Sequence, residues 1–378
     1  MEFYEQASGP QICAYYERVM HRHFVPTGRV RYFPSCDWEG DHFVSRLTGE
    51  TWRPKVKRKI VDTTYLEGEI PATMPPPFAV AEGVQCVTPG ELARLERAPE
   101  KFVIVGAGKT ALDTCVWLLE RGVPASSIRW VRPRDAWWLN RKFQQPRALM
   151  PHFLEGMAIQ VEALAQASTL DDLFTRLESA GVALRIDPSV APTMLHGAIV
   201  SEAELVLLRR ITDVVRMGRV RSIERDAIIL ERGRVPTDER TVHVHCAARG
   251  LARPAPRPIF ERDRVTTQPF SWGFACYQFA LLGVAEATIE DDREKNRLFP
   301  AIRYWDASSD YVTAFGAGMA SSTAIAAHPA LAVWNKTSRL NPMSGLAAHR
   351  DDPRVIASRE RVKQNGFAAA MNLQKLLV

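Results

Sequence analysis

The stretch KFVIVGAGKTALDTCVWLLERG, residues 101–122, decides the predicted fold of this chain. Residues 102–105 form a continuous apolar run, which is typical of a strand buried on both faces of a parallel sheet. This run leads directly into a glycine-rich turn, and residues 110–121 then have the apolar spacing of an amphipathic helix. A second apolar strand follows at residues 128–131, so the sequence predicts a strand–helix–strand unit of a parallel sheet.

The glycine-rich turn has the G-x-G-x-x-A pattern of dinucleotide-binding proteins. Gly106 permits the tight turn out of the strand, Gly108 lets the backbone approach a pyrophosphate, and Ala111 allows close helix packing. The helix N-terminus adds free N–H groups and a partial positive charge that face the phosphates. We therefore predict that the ADP half of a nicotinamide cofactor is bound by Gly106, Ala107, Gly108, Lys109, Thr110 and Ala111.

The same turn also contains the GKT of a phosphate-binding P-loop, at residues 108–110. A P-loop needs a second glycine five residues before Gly108, and Val103 stands at that position. The sequence therefore favours a dinucleotide site over a P-loop.

Two arginines follow the second predicted strand, in the segment Arg132-Pro133-Arg134. Proteins specific for NAD usually carry an acidic residue here, which accepts a hydrogen bond from the ribose 2′-hydroxyl, whereas arginine suits a 2′-phosphate. Asp135 comes slightly too late in the chain for the acidic role. Arg132 and Arg134 therefore predict NADPH rather than NADH, with a solvated loop as the alternative explanation for them.

Composition and charge limit the kinds of partner. The chain has 378 residues, 46% of them hydrophobic and 24% charged, which is ordinary for a globular protein. Its apolar runs fall far short of the roughly 20 residues that a membrane-spanning helix needs, so no membrane contact is predicted. The net charge is +6, but Lys and Arg are spread along the chain except in KVKRK at residues 55–59, so we predict no nucleic-acid partner.

The six cysteines and the N-terminus bear on the compartment. No two cysteines form a CxxC pair and none has histidines at zinc-ligand spacing, so we predict no metal site and reduced, mostly buried thiols. The first residues, MEFYEQASG, lack the apolar core of a secretory signal. Together these features predict a cytoplasmic protein.

With these motifs in place, the chain resembles flavin-dependent, NAD(P)H-binding oxidoreductases of the two-dinucleotide-binding-domain type, which include the flavin-containing monooxygenases and the disulfide reductases. The specific part of the resemblance is the turn at residues 106–111. A looser similarity is the turn CAARG at residues 246–250, which is similar to the ATG-like turn of the family. The resemblance implies an α/β fold in which a Rossmann-like NAD(P)-binding domain is inserted in an incomplete FAD-binding Rossmann-like domain.

The resemblance also implies a division of the chain into domains. Residues 1–95 would be the N-terminal part of the flavin-type domain, and residues 96–215 the NAD(P)-binding Rossmann domain. Residues 216–345 would return to the flavin-type domain, and residues 346–378 would be a C-terminal tail.

The chain departs from the family pattern where FAD should bind. The family begins with its own G-x-G-x-x-G for FAD, and no such motif precedes residue 101 here. Either the chain is a shortened member or a gene-model fragment, or its flavin site is degenerate. Gly316 and Gly318, which follow a predicted short strand at residues 313–315, lie either near a flavin or at a helix N-terminus.

The signatures of the two named subgroups are also missing. The monooxygenase pattern FxGxxxHxxxY/F is absent because residues 78–92 contain no histidine, and the missing CxxC argues against a disulfide reductase. The leading hypothesis is an oxidoreductase in which NADPH passes a hydride to FAD, with a small-molecule substrate that the sequence does not identify. The alternative is a truncated, non-catalytic relative that still binds NAD(P). The sequence assigns no catalytic residue.

Overall fold

The computed structural model describes residues 6–377, apart from the side chain of His196. The chain divides by its internal contacts into two compact units, Met1–Ile60 and Val61–Val378. The four-part division predicted from the sequence has its boundaries after residues 95, 215 and 345 and stays a prediction.

The chain contains both helices and parallel β-strands, which confirms the predicted α/β class. The strands, numbered in chain order, are β1 (Cys36–Trp38), β2 (Phe43–Ser45), β3 (Thr51–Trp52), β4 (Ile60–Asp62), β5 (Gly68–Glu69), β6 (Ala79–Val80), β7 (Cys86–Val87), β8 (Lys101–Val105), β9 (Ile128–Val131), β10 (Ala136–Asn140), β11 (Ala183–Leu184), β12 (Met194–Val200), β13 (Val214–Val215), β14 (Val220–Ile223), β15 (Ala227–Leu230), β16 (Gly233–Pro236), β17 (Thr241–His245), β18 (Gly250–Leu251) and β19 (Arg264–Thr266).

The α-helices are interspersed with short 3₁₀ and π turns. They are α1 (Gly9–Val19), α2 (Pro89–Leu92), α3 (Lys109–Glu120), α4 (Met150–Gln166), α5 (Leu170–Ser179), α6 (Glu202–Leu208), α7 (Ala275–Thr288), α8 (Asp292–Leu298), α9 (Ser308–Ala327), α10 (Pro329–Thr337) and α11 (Pro353–Leu373). Among the described helices, none combines the length and the apolar character that crossing a membrane requires.

The first unit contains α1 and a small antiparallel sheet. Helix α1 begins with a capping box, in which the Ser8 side chain accepts from the Gln11 backbone and the Gln11 side chain accepts from the Ser8 backbone. The sheet has the order β1-β2-β3, and Gly49 adopts a left-handed conformation, with φ +72°, in the turn between β2 and β3. This turn joins β2 and β3 in an antiparallel hairpin.

The second unit contains a sheet of five parallel strands in the order β13-β9-β8-β17-β7. Strand β8 lies in the middle, where Phe102 is paired with Ile128 of β9 on one side and with Val242 of β17 on the other. Strand β17 comes after residue 215, so the sheet runs across the predicted boundary between the NAD(P)-binding domain and the flavin-type domain.

Both faces of this sheet are covered, which explains the continuous apolar run of β8. Helices α3 and α6 lie on one face, where Ile104 and Val244 pack in one core with Leu112 of α3. The strands β14, β15 and β16 lie on the other face, where Val103 packs in a second core with Ile223. Alternate residues of β8 therefore face two different apolar cores.

A second, three-stranded sheet begins directly after β9. Strand β10 pairs with β11 in antiparallel and with β12 in parallel orientation. Trp137 of β10 stacks on Phe174 of α5 with ring centroids 5.1 Å apart, and Phe174 meets Tyr311 of α9 edge to face at 5.7 Å. These rings are buried together, so Trp137 is a core residue.

The prediction of a strand at residues 313–315 is wrong, because these residues lie inside the 20-residue helix α9. Gly316 and Gly318 lie in the same helix and do not form a strand–turn–helix motif. A Cβ at Gly316 would lie 3.4 Å from Leu373 Cδ1, and one at Gly318 would lie 3.4 Å from Ser271 Cβ. The two glycines therefore allow close packing of α9 against its neighbours.

Helix α11 occupies most of the segment predicted as a C-terminal tail, and it packs along α4. Val355 and Ala369 are fully buried. The Asn372 side-chain amide donates to the carbonyl oxygens of Leu164 and Ala167 at 2.9 and 2.6 Å, which satisfies acceptors at the C-terminal end of α4.

The contact between α11 and α4 predicts a stability effect at Asn372. Asn372→Ala leaves the carbonyls of Leu164 and Ala167 without this donor, so we expect the free energy of unfolding to fall by about 1–2 kcal/mol. Urea unfolding followed by circular dichroism measures the change. The control is Gln364→Ala on the exposed side of α11, which should change stability by less than about 0.5 kcal/mol. Equal effects of the two substitutions would contradict this packing.

Candidate functional site

The turn after β8 lies at the carboxyl edge of the central sheet and is held by both neighbouring strands. Gly106 has φ +137°, and a Cβ there would lie 2.5 Å from the Cys246 carbonyl oxygen, so only glycine fits. The Gly106 N–H donates to the Val131 carbonyl at 3.0 Å, which ties the turn to β9. The predicted turn at residues 246–250 thus begins with Cys246, whose carbonyl oxygen occupies the place where a side chain at position 106 would lie.

Gly108 has very different surroundings from Gly106. It is the N-cap residue of α3 with an ordinary φ of −89°, and no atom lies within 4 Å of the position of a Cβ. Within residues 6–377 no side chain caps the helix, so the first N–H groups of α3 have no side-chain acceptor there. Ala111, the last residue of the motif, is fully buried under the helix.

Lys109 and Thr110 begin α3, and their side chains differ in exposure. The Lys109 ammonium forms ion pairs with Asp113, one turn further along α3, and with Glu204 Oε1 at 3.6 Å. Thr110 is exposed. Lys109 is thereby held toward α6, whereas the backbone of the turn is left open.

Glu204 is the centre of the charged cluster beside the turn. Arg141 Nη2 donates to its two oxygens at 2.8 and 2.7 Å, and the Ser201 N–H donates to Oε2 at 2.6 Å. Burial alone would raise the pKa of Glu204, but the hydrogen bonds from Ser201 and Arg141 outweigh it and lower that pKa. Glu204 is therefore an anion that holds Lys109 and Arg141.

Arg132 is a buried arginine, with 3% of its side chain exposed. Its Nη2 lies 2.8 Å from Asp135 Oδ1, and its guanidinium carbon lies 4.9 Å from the ring centre of Trp130. Its Nε and Nη1 have no hydrogen-bond partner among residues 6–377. Burial lowers the pKa of Arg132, with Asp135 acting in the opposite direction, and an arginine stays charged under such a shift.

Arg134, by contrast, is 43% exposed. The carboxylate paired with it is that of Asp306, at the long distance of 3.7 Å from Nη1 to Oδ2. The structure therefore does not give the two predicted phosphate-binding arginines a common role, because Arg134 reaches solvent and Arg132 does not.

Asp135 is enclosed by two arginines. Its Oδ1 pairs with Arg132, and its Oδ2 accepts from Arg216 Nε at 3.0 Å. Arg216 also donates to Asp187 Oδ2 at 2.7 Å. Both oxygens of Asp135 are thus engaged by arginines.

Trp130 is a site residue that the sequence reasoning missed. It is fully buried, and its indole Nε1 donates to the Gly106 carbonyl at 2.8 Å. Its position in β9, on the same face as Arg132, is readable from the sequence, but a contact to a turn 24 residues earlier is not.

The cysteines near the turn are inert thiols. Burial raises the pKa of Cys246 to about 12 and raises that of Cys115 well above its usual value. All six cysteines are free, but only these two are buried, so the prediction of mostly buried thiols is wrong. In the described part of the chain, no cluster of His, Cys, Asp or Glu is arranged to hold a metal ion.

A cavity lies at the opposite, amino edge of the same sheet, between Lys101 and Thr241. Its charged groups pair with one another, as in the hydrogen bond of 2.9 Å from Arg129 Nε to Asp213. Ligands of open parallel sheets bind at the carboxyl edge, so we assign the candidate site to the glycine turn.

Comparison with known proteins gives relatives but no activity. No protein-family model matches the chain. The chain is 39% identical over 362 residues to an uncharacterized protein of Mycobacterium bovis and to uncharacterized proteins of two strains of Mycobacterium tuberculosis. The similarity covers 95% of this chain and 66% of each relative, so the chain spans just under two thirds of their length.

The two glycines of the turn should respond differently to an added methyl group. Gly106→Ala forces a Cβ against the Cys246 carbonyl at a left-handed φ, so we expect a loss of about 2 kcal/mol or more in unfolding free energy. Gly108→Ala meets open space and should stay within about 0.5 kcal/mol of the wild type. Urea unfolding of both variants gives the comparison, and a tolerated Gly106→Ala would contradict the turn geometry.

Two buried histidines in β17 predict a loss of stability toward acid. Burial lowers the pKa of His243 and of His245 in the folded protein. The unfolded state then binds more protons below its own histidine pKa of about 6.5, so the free energy of unfolding falls as pH drops through and below that value, by at most about 1.4 kcal/mol per unit for each histidine. Urea unfolding at pH 7.5 and 5.5 tests this.

The control for the acid effect uses a matched pair of variants. His243→Gln should reduce the pH dependence of unfolding, because one of the two buried titrating groups is gone. His23→Gln removes an exposed histidine and should keep the wild-type dependence. If His243→Gln leaves the slope unchanged, His243 does not contribute to it.

Proposed function

We propose that this chain binds NADPH at the carboxyl edge of its central sheet and serves as the nucleotide-binding part of a flavin-type oxidoreductase. The observation that carries the proposal is the contrast between the two glycines, since Gly106 is packed without room for a Cβ and Gly108 is open in front of an uncapped helix. A pyrophosphate needs that arrangement, namely a tight turn followed by backbone N–H groups that it can approach.

The strand order supports the same assignment. Counted from β8, the strands β8, β9, β13 and β17 take the positions 1, 2, 3 and 4 of a sheet arranged 3-2-1-4, as in Rossmann-type sheets. The fifth strand, β7, precedes β8 in the chain and lies at the edge next to β17. The order reverses between β8 and β17, and ligands of such sheets bind outside the carboxyl ends of the strands at this reversal. Gly106 and Cys246 follow these two strands directly.

The preference for NADPH rests on the charges after β9. Arg134 is the exposed cation there and is the residue that we assign to the 2′-phosphate. The neighbouring carboxylate, Asp135, has both oxygens engaged by arginines and is not available to a ribose 2′-hydroxyl. Arg132 carries charge at the same end of the strand but is buried.

NADPH, when bound, supplies a hydride, and the residues of this chain bind and orient it. The flavin part of the proposal rests on the family resemblance alone. The described residues offer one strand–glycine–helix unit, because Gly316 and Gly318 lie inside α9, so we assign no residue to FAD. That single unit equally favours a second candidate function, a non-catalytic NAD(P)-binding protein.

Nucleotide binding is tested by replacing Gly108. Gly108→Val places a branched side chain where the pyrophosphate would lie, so we expect binding of NADPH, measured by calorimetry, to fall at least a hundredfold. Gly9→Val is the matched control, because Gly9 also begins a helix in open space, in α1. Unchanged NADPH binding by Gly108→Val would remove the proposed site.

Arg134 is tested by comparing two nucleotides. Arg134→Ala should weaken NADPH binding roughly tenfold or more, since a charge-assisted contact to the 2′-phosphate is lost. NADH has no 2′-phosphate, so its Kd should not change. Equal losses for both nucleotides would assign Arg134 a different role.

The visible absorption spectrum separates the two candidate functions. A purified protein that acquires flavin absorption from added FAD, and loses it when NADPH reduces the flavin, supports the oxidoreductase. A protein that binds NADPH but ignores FAD supports the non-catalytic alternative for this chain.

A further inference from the structure

We infer that Arg132 is a positioning residue for the glycine turn, acting through Trp130 on the peptide between Gly106 and Ala107, and not a ligand of the 2′-phosphate. The inference rests on the proposed function, since it assigns a part of the same nucleotide site. It corrects the sequence prediction in which Arg132 and Arg134 clamp the phosphate together.

The burial of Arg132 speaks against direct contact with a phosphate. Only 3% of the Arg132 side chain is exposed, and its Nη2 is already held by Asp135. Its unpaired Nε and Nη1 belong to a guanidinium that lies over the Trp130 ring. The attraction of a cation to the electron-rich ring face favours this stacked arrangement.

Trp130 transmits the position of Arg132 to the turn. Its indole is fully buried, and its Nε1 hydrogen bond to the Gly106 carbonyl is 2.8 Å long. The Gly106 carbonyl and the Ala107 N–H belong to one planar peptide group. The direction of the indole N–H therefore fixes the direction in which the Ala107 N–H points, at the second position of the G-x-G turn.

An ion-pair chain holds Arg132 from the other side. Asp135 also accepts from Arg216, and Arg216 donates to Asp187. The Arg132 backbone N–H donates to the Val215 carbonyl at 2.9 Å, which fixes its main chain to the neighbouring strand. Because Arg132 is held both at its backbone and at its guanidinium, it keeps the Trp130 ring beneath it in one orientation.

The positioning role predicts a pattern of affinities that no phosphate ligand gives. The Ala107 N–H lies at the pyrophosphate end of the site, and the pyrophosphate is common to NADPH and NADH. Arg132→Met keeps the length of the side chain but removes its charge, so we expect the Kd of both nucleotides to rise by a similar factor of about ten. Arg134→Ala should raise the Kd of NADPH alone.

Trp130→Phe is a second variant, which tests the inference even if Arg132→Met fails to fold. It keeps an aromatic ring under the guanidinium and removes the N–H that binds Gly106, so the Kd of both nucleotides should again rise together. In the double variant Arg132→Met/Trp130→Phe the two effects should not add, because both act through one hydrogen bond. Arg132→Lys, which keeps a cation near Asp135, should recover part of the affinity.

Arg129→Met is the matched control. Arg129 lies on the same strand and pairs with Asp213 at 2.9 Å, but at the opposite edge of the sheet. Arg129→Met should leave the Kd values of NADPH and NADH unchanged. Urea unfolding of every variant checks that each is folded.

The possible outcomes separate the inference from the proposed function. A rise for NADPH alone in Arg132→Met would make Arg132 a phosphate ligand and overturn the inference. A loss of stability with unchanged Kd values in Arg132→Met and Trp130→Phe would also overturn it, because the role would be structural only. A wild-type chain that binds neither NADPH nor NADH would overturn the proposed function itself, and the inference with it.

Discussion

The approach of Gly106 to the carbonyl oxygen of Cys246 is the contact on which the candidate site depends. It joins the turns that leave two adjacent parallel strands, β8 and β17, at the position where the strand order of the sheet reverses. Any side chain at Gly106 would push these turns apart and move the start of α3. The same contact therefore sets the sheet edge, the direction of the helix and the open space in front of Gly108.

Behind this contact lies a row of charges that compensate one another. Arg132, Asp135, Arg216 and Asp187 alternate in sign and carry no net charge as a group. An arginine as deeply buried as Arg132 persists because Asp135 is paired with it, since an unpaired charge at that depth would be strongly destabilising. Arg134 pairs with Asp306 at the longer distance of 3.7 Å and is 43% exposed, which makes it the more suitable group for an incoming anion.

The sequence was sufficient for the features that depend on near neighbours. The strand at residues 102–105, the helix after it and the strand Ile128–Val131 lie within about 30 residues and match the structure to within one residue. The pairing of β8 with β17 was missed because its partner lies about 140 residues later, and no local pattern specifies it. Arg132 and Arg134 look alike in sequence, and only the surrounding fold makes one buried and the other exposed.

Binding and turnover place different demands on such a chain. A nucleotide site needs backbone groups and fixed charges, and these are present at the turn, at α3 and at Arg134. Turnover also needs an acceptor for the hydride, which is the role of a cofactor or substrate and not of the buried thiols near the turn. Burial raises the pKa values of Cys115 and Cys246, so both thiols stay protonated. Under the proposed function, the residues of the site would therefore determine which nucleotide binds and how it is oriented, and the chemistry would belong to the cofactors.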